Sequence, residues 1–148
     1  MPRLDDARLD ELVIKAWEAR LNAYAPYSQF HVGAALLSAD GRIYTGANIE
    51  NASLGLSMCA ERVALGAAAA AGARSFAAIA IAASDVLGVT PCGACRQVLS
   101  EFNADLPVLR CKPDGSYIVM SLAGLVPSAF TGRGMGDDRH ATPELTGV

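Results

Sequence analysis

Three cysteines and one glutamate carry the chemistry this sequence offers. They lie in two short blocks, Cys59-Ala60-Glu61 and Pro91-Cys92-Gly93-Ala94-Cys95. Three thiolates on zinc leave the fourth tetrahedral position open to water, which separates a catalytic site from a closed structural one. Glu61, two residues from Cys59, is placed to move that water's protons. Two residues apart do not share a helix face, so Cys59 and Glu61 serve one site only at a helix start. The parts are those of a zinc hydrolase. The competing reading makes Cys59 a buried apolar cysteine and Cys92/Cys95 a redox pair. Cys111 stands outside both blocks and reads as a core or interface residue.

Charge counting adds a requirement. Three thiolates around one zinc leave a net negative charge, which opposes ionisation of a bound water. Arg62 follows Glu61 and Arg96 follows Cys95. At least one is expected to hydrogen-bond to a ligand sulfur, Arg62 ahead of Arg96; the alternative for each is an ordinary salt bridge.

The elements that must position these residues can be read from periodicity and punctuation. Leu9, Leu12, Val13, Ala16 and Trp17 recur at helical spacing after Asp5 or Asp6 as caps, and this helix should end near residues 22–26. Runs 32–37 and 42–45 flank Ser38-Ala39-Asp40-Gly41, a hairpin signal. Ser57 is the expected cap of a second helix over 58–71, stopped by Gly72. Phe76–Ala83 is short and continuously apolar, hence a buried strand. Pro91 precedes a third helix over 93–102. Strands over 107–111 and 117–120 follow, joined at Pro113-Asp114-Gly115-Ser116. Ser121 should cap a short last helix ended by Pro127. From Thr131 onward glycine and charge dominate, which predicts a flexible tail over 131–148 after one domain over 1–130. Strands alternating with helices imply an α/β sheet covered by helices on both faces.

Composition narrows the function classes. The 148 residues are 52% apolar and 18% charged, ample material for one core. Much of the apolar excess is alanine, which suggests close helix packing and buried subunit contacts. A net charge of −3 without a basic run argues against nucleic acid as a partner, whose binding leaves a positive footprint. The start of the chain is charged where a signal peptide needs apolar residues, and no apolar run is long enough for a bilayer. No membrane association and a reducing cytoplasm are therefore expected, where thiolates remain available to metal.

Taken with the blocks around them, the cysteines are a pattern of zinc deaminases in its three-cysteine form. The chain resembles the small, all-cysteine zinc cytidine deaminases, typically homotetramers. The matching blocks are Tyr24-Ala25-Pro26-Tyr27-Ser28, Phe30, Val32-Gly33-Ala34-Ala35, Asn48-Ile49-Glu50-Asn51, Cys59-Ala60-Glu61-Arg62 and Pro91-Cys92-Gly93-Ala94-Cys95-Arg96-Gln97. They fall in order within residues 24–130. The resemblance implies a three-layer α/β/α sandwich with a five-stranded mixed sheet, and one zinc per subunit on Cys59, Cys92 and Cys95. It implies hydrolytic deamination of cytidine and deoxycytidine at C4, with Glu61 protonating N3 and later helping ammonia leave. Asn48 and Glu50 match residues that bind the ribose hydroxyls, and Phe30 one that packs on the base. The Ala60 N–H and the Thr90 carbonyl match contacts to the base oxygen and the exocyclic amine. Phe130 matches an aromatic that reaches a neighbouring subunit's site. Pyrimidine salvage would be the setting.

Leu54 departs from the pattern, since relatives usually carry tyrosine after Asn51-Ala52-Ser53. It keeps open a rival reading, a deaminase or C4-hydrolase of modified cytosine nucleosides such as blasticidin-like antibiotics. His31 reads as structural or exposed, and His140 has no assigned role. A polynucleotide-editing deaminase is opposed by the acidic balance, and a non-catalytic zinc module by Glu61.

Overall fold

A computed structural model describes residues 4–132. The expected tail, with His140, lies almost entirely outside them. The chain runs α1 (Asp6–Arg20), β1 (Val32–Ser38), β2 (Ile43–Ala47), a 3-10 turn (Leu54–Leu56), α2 (Ala60–Ala70), β3 (Phe76–Ala83), α3 (Gly93–Ser100), β4 (Pro107–Cys111), β5 (Tyr117–Ser121) and α4 (Leu122–Leu125). The strands form one five-stranded sheet in the order β2-β1-β3-β4-β5. Only β3 and β4 pair in parallel; the other neighbours are antiparallel. The sheet is therefore mixed, as the sequence predicts.

Side-chain alternation along the strands divides the interior into two apolar layers. Ala34, Leu36, Ile79, Ile81 and Val108 face one side and pack with Ala60, Ala64 and Leu65 of α2 and Leu99 of α3. Ala35, Leu37, Ala78, Ala80, Ala82 and Leu109 face the other and meet Leu12, Val13 and Ala16 of α1. The result is the three-layer sandwich. Every residue of β3 is buried, which is why its sequence reads as a continuous apolar run rather than an alternation. Ala77, Ala78, Ala80 and Ala82 lie on the α1 side and Phe76, Ile79 and Ile81 on the α2 side, so the small side chains let α1 lie close to the sheet.

Two glycines set how closely the helices approach. A Cβ on Gly33 would sit 2.1 Å from the Ala16 carbonyl oxygen of α1. A Cβ on Gly46 would sit 2.4 Å from the Ala64 nitrogen and 2.5 Å from the Ala60 oxygen of α2. Both contacts are with helix backbone, so neither can be relieved by a rotamer change.

Local signals mostly hold. The Asp5 carboxylate accepts from the Arg8 N–H at 2.9 Å and caps α1. Gly41 adopts φ +88° in the β1–β2 turn, a conformation that favours glycine. The expected cap of the second helix is displaced. The Ser57 hydroxyl accepts from the Asn51 N–H instead, and α2 starts later, with Cys59 at the N-cap. α3 likewise has Cys92 as its N-cap and ends at Ser100.

The β1–β3 register pairs Val32 with Ala83, and the β1–β2 register pairs Gly33 with Ala47. The start of β1 and the ends of β2 and β3 therefore meet at one edge of the sandwich. The segments entering β1 and leaving β2 and β3 emerge there together, and the cysteines and Glu61 belong to those segments.

Candidate active site

A cavity of about 340 Å³ opens at this edge. Phe30 and Val32 contribute from the start of β1, Asn48 and Glu50 from beyond β2, and the run from Ser57 to Glu61 from the approach to α2. Val89, Thr90 and Cys92 close it from the segment that follows β3. Six of the sequence-predicted residues thus line one cavity together with two of the three cysteines: Phe30, Asn48, Glu50, Ala60, Glu61 and Thr90.

The Sγ atoms of Cys59, Cys92 and Cys95 all lie within 4.8 Å of one another. Cys59 and Cys92 are 3.7 Å apart. Thiolates about 2.3 Å from a tetrahedral zinc stand about 3.8 Å apart, so the Cys59–Cys92 pair already has that spacing and Cys95 is close enough to complete the site. All four cysteines are free. Cys59 and Cys92 occupy N-cap positions without a side-chain cap bond to their own helices. Their sulfurs sit where two helix dipoles turn their positive ends, an environment that favours thiolate. The donor set fits one zinc ion per chain.

Of the two arginines, Arg62 is the one that reaches a cysteine sulfur. Its Nη2 donates to the Cys59 Sγ at 3.7 Å, and its buried Nε has no partner among the described residues. Cys95 and Arg62 both donate toward Cys59 and, with Cys92, hold its thiol down at about 5 despite partial burial. The same sharing pushes the Cys95 thiol upward. Arg96 is placed differently. Its Nε donates to the Pro91 carbonyl at 2.7 Å, Nη1 to the Leu125 carbonyl at 2.6 Å and Nη2 to the Thr90 hydroxyl at 3.2 Å. Its recorded bonds go to oxygen and none to sulfur.

Glu61 satisfies the helix-start condition, since it is the second residue of α2 and Cys59 is the cap. It is 4% exposed. Burial first, then the negative charge of Cys59, pushes its carboxyl up to about 7. A carboxyl poised near neutrality can both take and give a proton. Ala60, fully buried beside it, opens the helix, so its N–H is among those without an intrahelical acceptor.

Asn48 and Glu50 do more than line the cavity. The Asn48 side chain accepts from the Val32 N–H and donates to the Phe30 carbonyl, both at 2.8 Å. This pins the Phe30 segment against the end of β2 and leaves one amide hydrogen. The Glu50 carboxylate accepts from the Tyr27 and Ser28 N–H groups at 3.0 and 3.1 Å, and from the Ser28 hydroxyl. Those donors, the hydroxyl foremost, hold it below the usual carboxylate range.

Four residues singled out in the sequence stand apart from this cavity. Phe130 is 70% exposed and does not line it, although its carbonyl accepts from the Gln97 amide at 2.9 Å. Leu54 is 72% exposed on the 3-10 turn. His31 is half-buried, and its carbonyl accepts from Arg20. Cys111 is fully buried on the α1 side, and burial pushes its thiol up to about 12. Sequence reasoning missed Val32, Ser57, Met58 and Val89 as lining residues. Each lies within two positions of a candidate site residue, namely Phe30, Cys59 or Thr90, which was the available signal.

The sequence model of the cytidine and deoxycytidylate deaminase zinc-binding region matches residues 7–110. A cytidine deaminase of Halalkalibacterium halodurans is 49% identical over 127 residues, covering 85% of this chain and 96% of that protein. One from Sporosarcina psychrophila is 46% identical over 124 residues, covering 83% and 91%. The crystal structure of cytidine deaminase from Burkholderia pseudomallei superposes with a TM-score of 0.78 at 49% identity, covering 81% of this chain and 97% of that one. With three cysteine sulfurs at zinc spacing, a buried glutamate beside them and this fold around them, the chain belongs to the cytidine and deoxycytidylate deaminase family.

Proposed function

We propose that the protein is a zinc-dependent cytidine deaminase, converting cytidine and deoxycytidine to uridine and deoxyuridine with release of ammonia. The observation that carries this reading is Glu61, a buried carboxyl that shares one cavity with two of three clustered cysteines and with the Asn48/Glu50 pair.

Zinc held by Cys59, Cys92 and Cys95 supplies a Lewis acid that makes water nucleophilic near neutral pH. The remaining work belongs to the chain. Glu61 takes a proton from the attacking water and delivers it to N3 of the pyrimidine, so that C4 accepts the oxygen. It then carries the second proton to the departing amine, and ammonia leaves with the bond to C4. The orphan Ala60 N–H donates to the base oxygen, the Thr90 carbonyl accepts from the exocyclic amine, and Phe30 packs on the ring. Asn48 offers its remaining amide hydrogen to a sugar hydroxyl. Glu50, an acceptor only, takes hydrogen bonds from hydroxyls. Arg62 offsets the charge of the sulfurs.

The described residues act as one catalytic domain. The working unit is a homotetramer in which Phe130 reaches a neighbouring site; its exposure outside its own cavity supports this, as do the exposed Leu54 and Leu56. No helix among the described residues is long and apolar enough to cross a membrane. The proposed setting is cytoplasmic pyrimidine salvage.

A substrate panel with metal analysis tests the reading. Protein carrying one zinc per chain should release ammonia from cytidine and deoxycytidine, and leave blasticidin S and N4-substituted cytidines largely intact. Zinc-loaded protein that ignores both natural nucleosides would overturn it.

A further inference from the structure

Arg96 makes no contact with a carboxylate among the described residues, although it is half-buried and always charged. Its guanidinium instead gathers three oxygens from two distant parts of the chain. Two belong to Thr90 and Pro91, the segment leading into Cys92; the third is the carbonyl of Leu125, the last residue of α4. The next residue, Gln97, donates to the Phe130 carbonyl. Consecutive side chains of α3, directly after Cys95, therefore hold the segment beyond β5 at two points five residues apart.

We propose that Arg96 is a positioning residue that fixes the Thr90–Pro91 rim of the cavity and ties it to the chain segment running from α4 to Phe130. The inference rests on the deaminase reading, in which the Thr90 carbonyl receives the exocyclic amine. A planar fork of N–H groups can meet three oxygens at once, whereas a lysine ammonium on a flexible stem cannot hold the same geometry. Loss of the fork lets the rim shift relative to Glu61, so the cost falls on substrate binding. Arg96 donates to two carbonyls and a hydroxyl and to no cysteine sulfur, so its role is to hold the rim rather than to tune groups at the metal.

The test uses the full-length, zinc-loaded protein. Arg96→Lys and Arg96→Met should each raise KM for cytidine about ten-fold, the scale of a lost hydrogen bond to a charged group. The pH profile of kcat should stay in place. Hydrogen exchange should accelerate together in residues 89–96 and 122–126. Rescue by lysine with a displaced pH profile in the methionine variant would mean that Arg96 acts through charge, overturning the proposal. Lower thermal stability with KM unchanged, or faster exchange in one segment alone, would overturn it too. Should both Arg96 variants fail to fold, Thr90→Val removes one acceptor at nearly constant shape and should raise KM about three-fold; an unchanged KM there counts against the tether. If the unmodified protein leaves cytidine intact, the deaminase reading fails, and paired exchange still decides whether the tether exists.

Discussion

Gly46→Ala should damage catalysis through a helix rather than through any group that touches substrate. The new Cβ would stand 2.4 Å from the Ala64 nitrogen, 2.5 Å from the Ala60 oxygen and 3.0 Å from the Ala64 Cα. All three are backbone atoms of α2, so the helix itself must retreat by about 1 Å to restore van der Waals contact. Overpacking of this kind costs about 1–3 kcal/mol, which for a chain of this size lowers Tm by roughly 3–10 °C. Ala60 and Glu61 form the first turn of the displaced helix and Cys59 its cap. A displacement of about 1 Å at reacting groups costs about 100-fold in rate. Gly33→Ala is the matched control. Its Cβ meets α1 even more closely, at 2.1 Å from the Ala16 oxygen and 2.4 Å from the Arg20 nitrogen. Stability should fall at least as far, but α1 lies on the opposite face of the sheet and supplies nothing to the cavity. Steady-state kinetics below both melting transitions, with Tm by scanning calorimetry, compare the two. Equal losses of kcat/KM, or a Gly46→Ala protein within a few-fold of the parent, would refute the reasoning.

Glu61→Gln keeps shape but removes the proton carrier, so kcat should fall by about 100- to 10,000-fold while metal analysis still finds one zinc per chain; loss of zinc would reassign Glu61 as a ligand. Arg62→Ala removes the N–H donor to Cys59 and leaves the sulfur cluster more negative. Zinc affinity should drop and the acid limb of the pH–rate profile should move to higher pH; unchanged affinity and profile would remove that role. Glu50 is ionised more readily in the folded chain than its ordinary value of 4.5 allows. Its contribution to stability is therefore present above the unfolded pKa and lost as pH falls through the lower folded value. Ser28→Ala removes the leading cause and should raise the Glu50 midpoint in a carbon-13 NMR titration, so that the loss is smaller and is complete at a higher pH. An unmoved midpoint would show that the backbone donors suffice.

The sequence carried the parts of this site more clearly than their arrangement. Cys59, Cys92 and Cys95 could be picked out because metal chemistry restricts residue type and spacing together. Phe76–Ala83 was equally plain, since a strand buried on both faces cannot alternate. Ser57 misled because a serine before an apolar run satisfies the capping rule locally, while here its hydroxyl serves Asn51, six residues back. Met58 and Val89 were hidden for another reason: an apolar cavity wall and an apolar core have the same composition. The two arginines show the limit most directly. Each follows a site residue, yet Arg62 turns to sulfur, whereas Arg96 finds oxygens as far away as Leu125, 29 residues on. Only the folded chain brings those acceptors together.

Cys59 and Cys92 as N-caps carry a cost that the unliganded helices bear. A serine, asparagine or aspartate at such a position satisfies a first-turn N–H, and replacing one with a non-capping residue costs about 0.5–2 kcal/mol. Neither sulfur makes that bond. Cys59→Ser would thus supply a competent cap while dismantling the metal site, and the metal-free variant should be at least as stable as the metal-free parent. Two helix starts that serine or aspartate would secure are instead given over to sulfur, so firmness at the mouth of the cavity depends on the metal being in place.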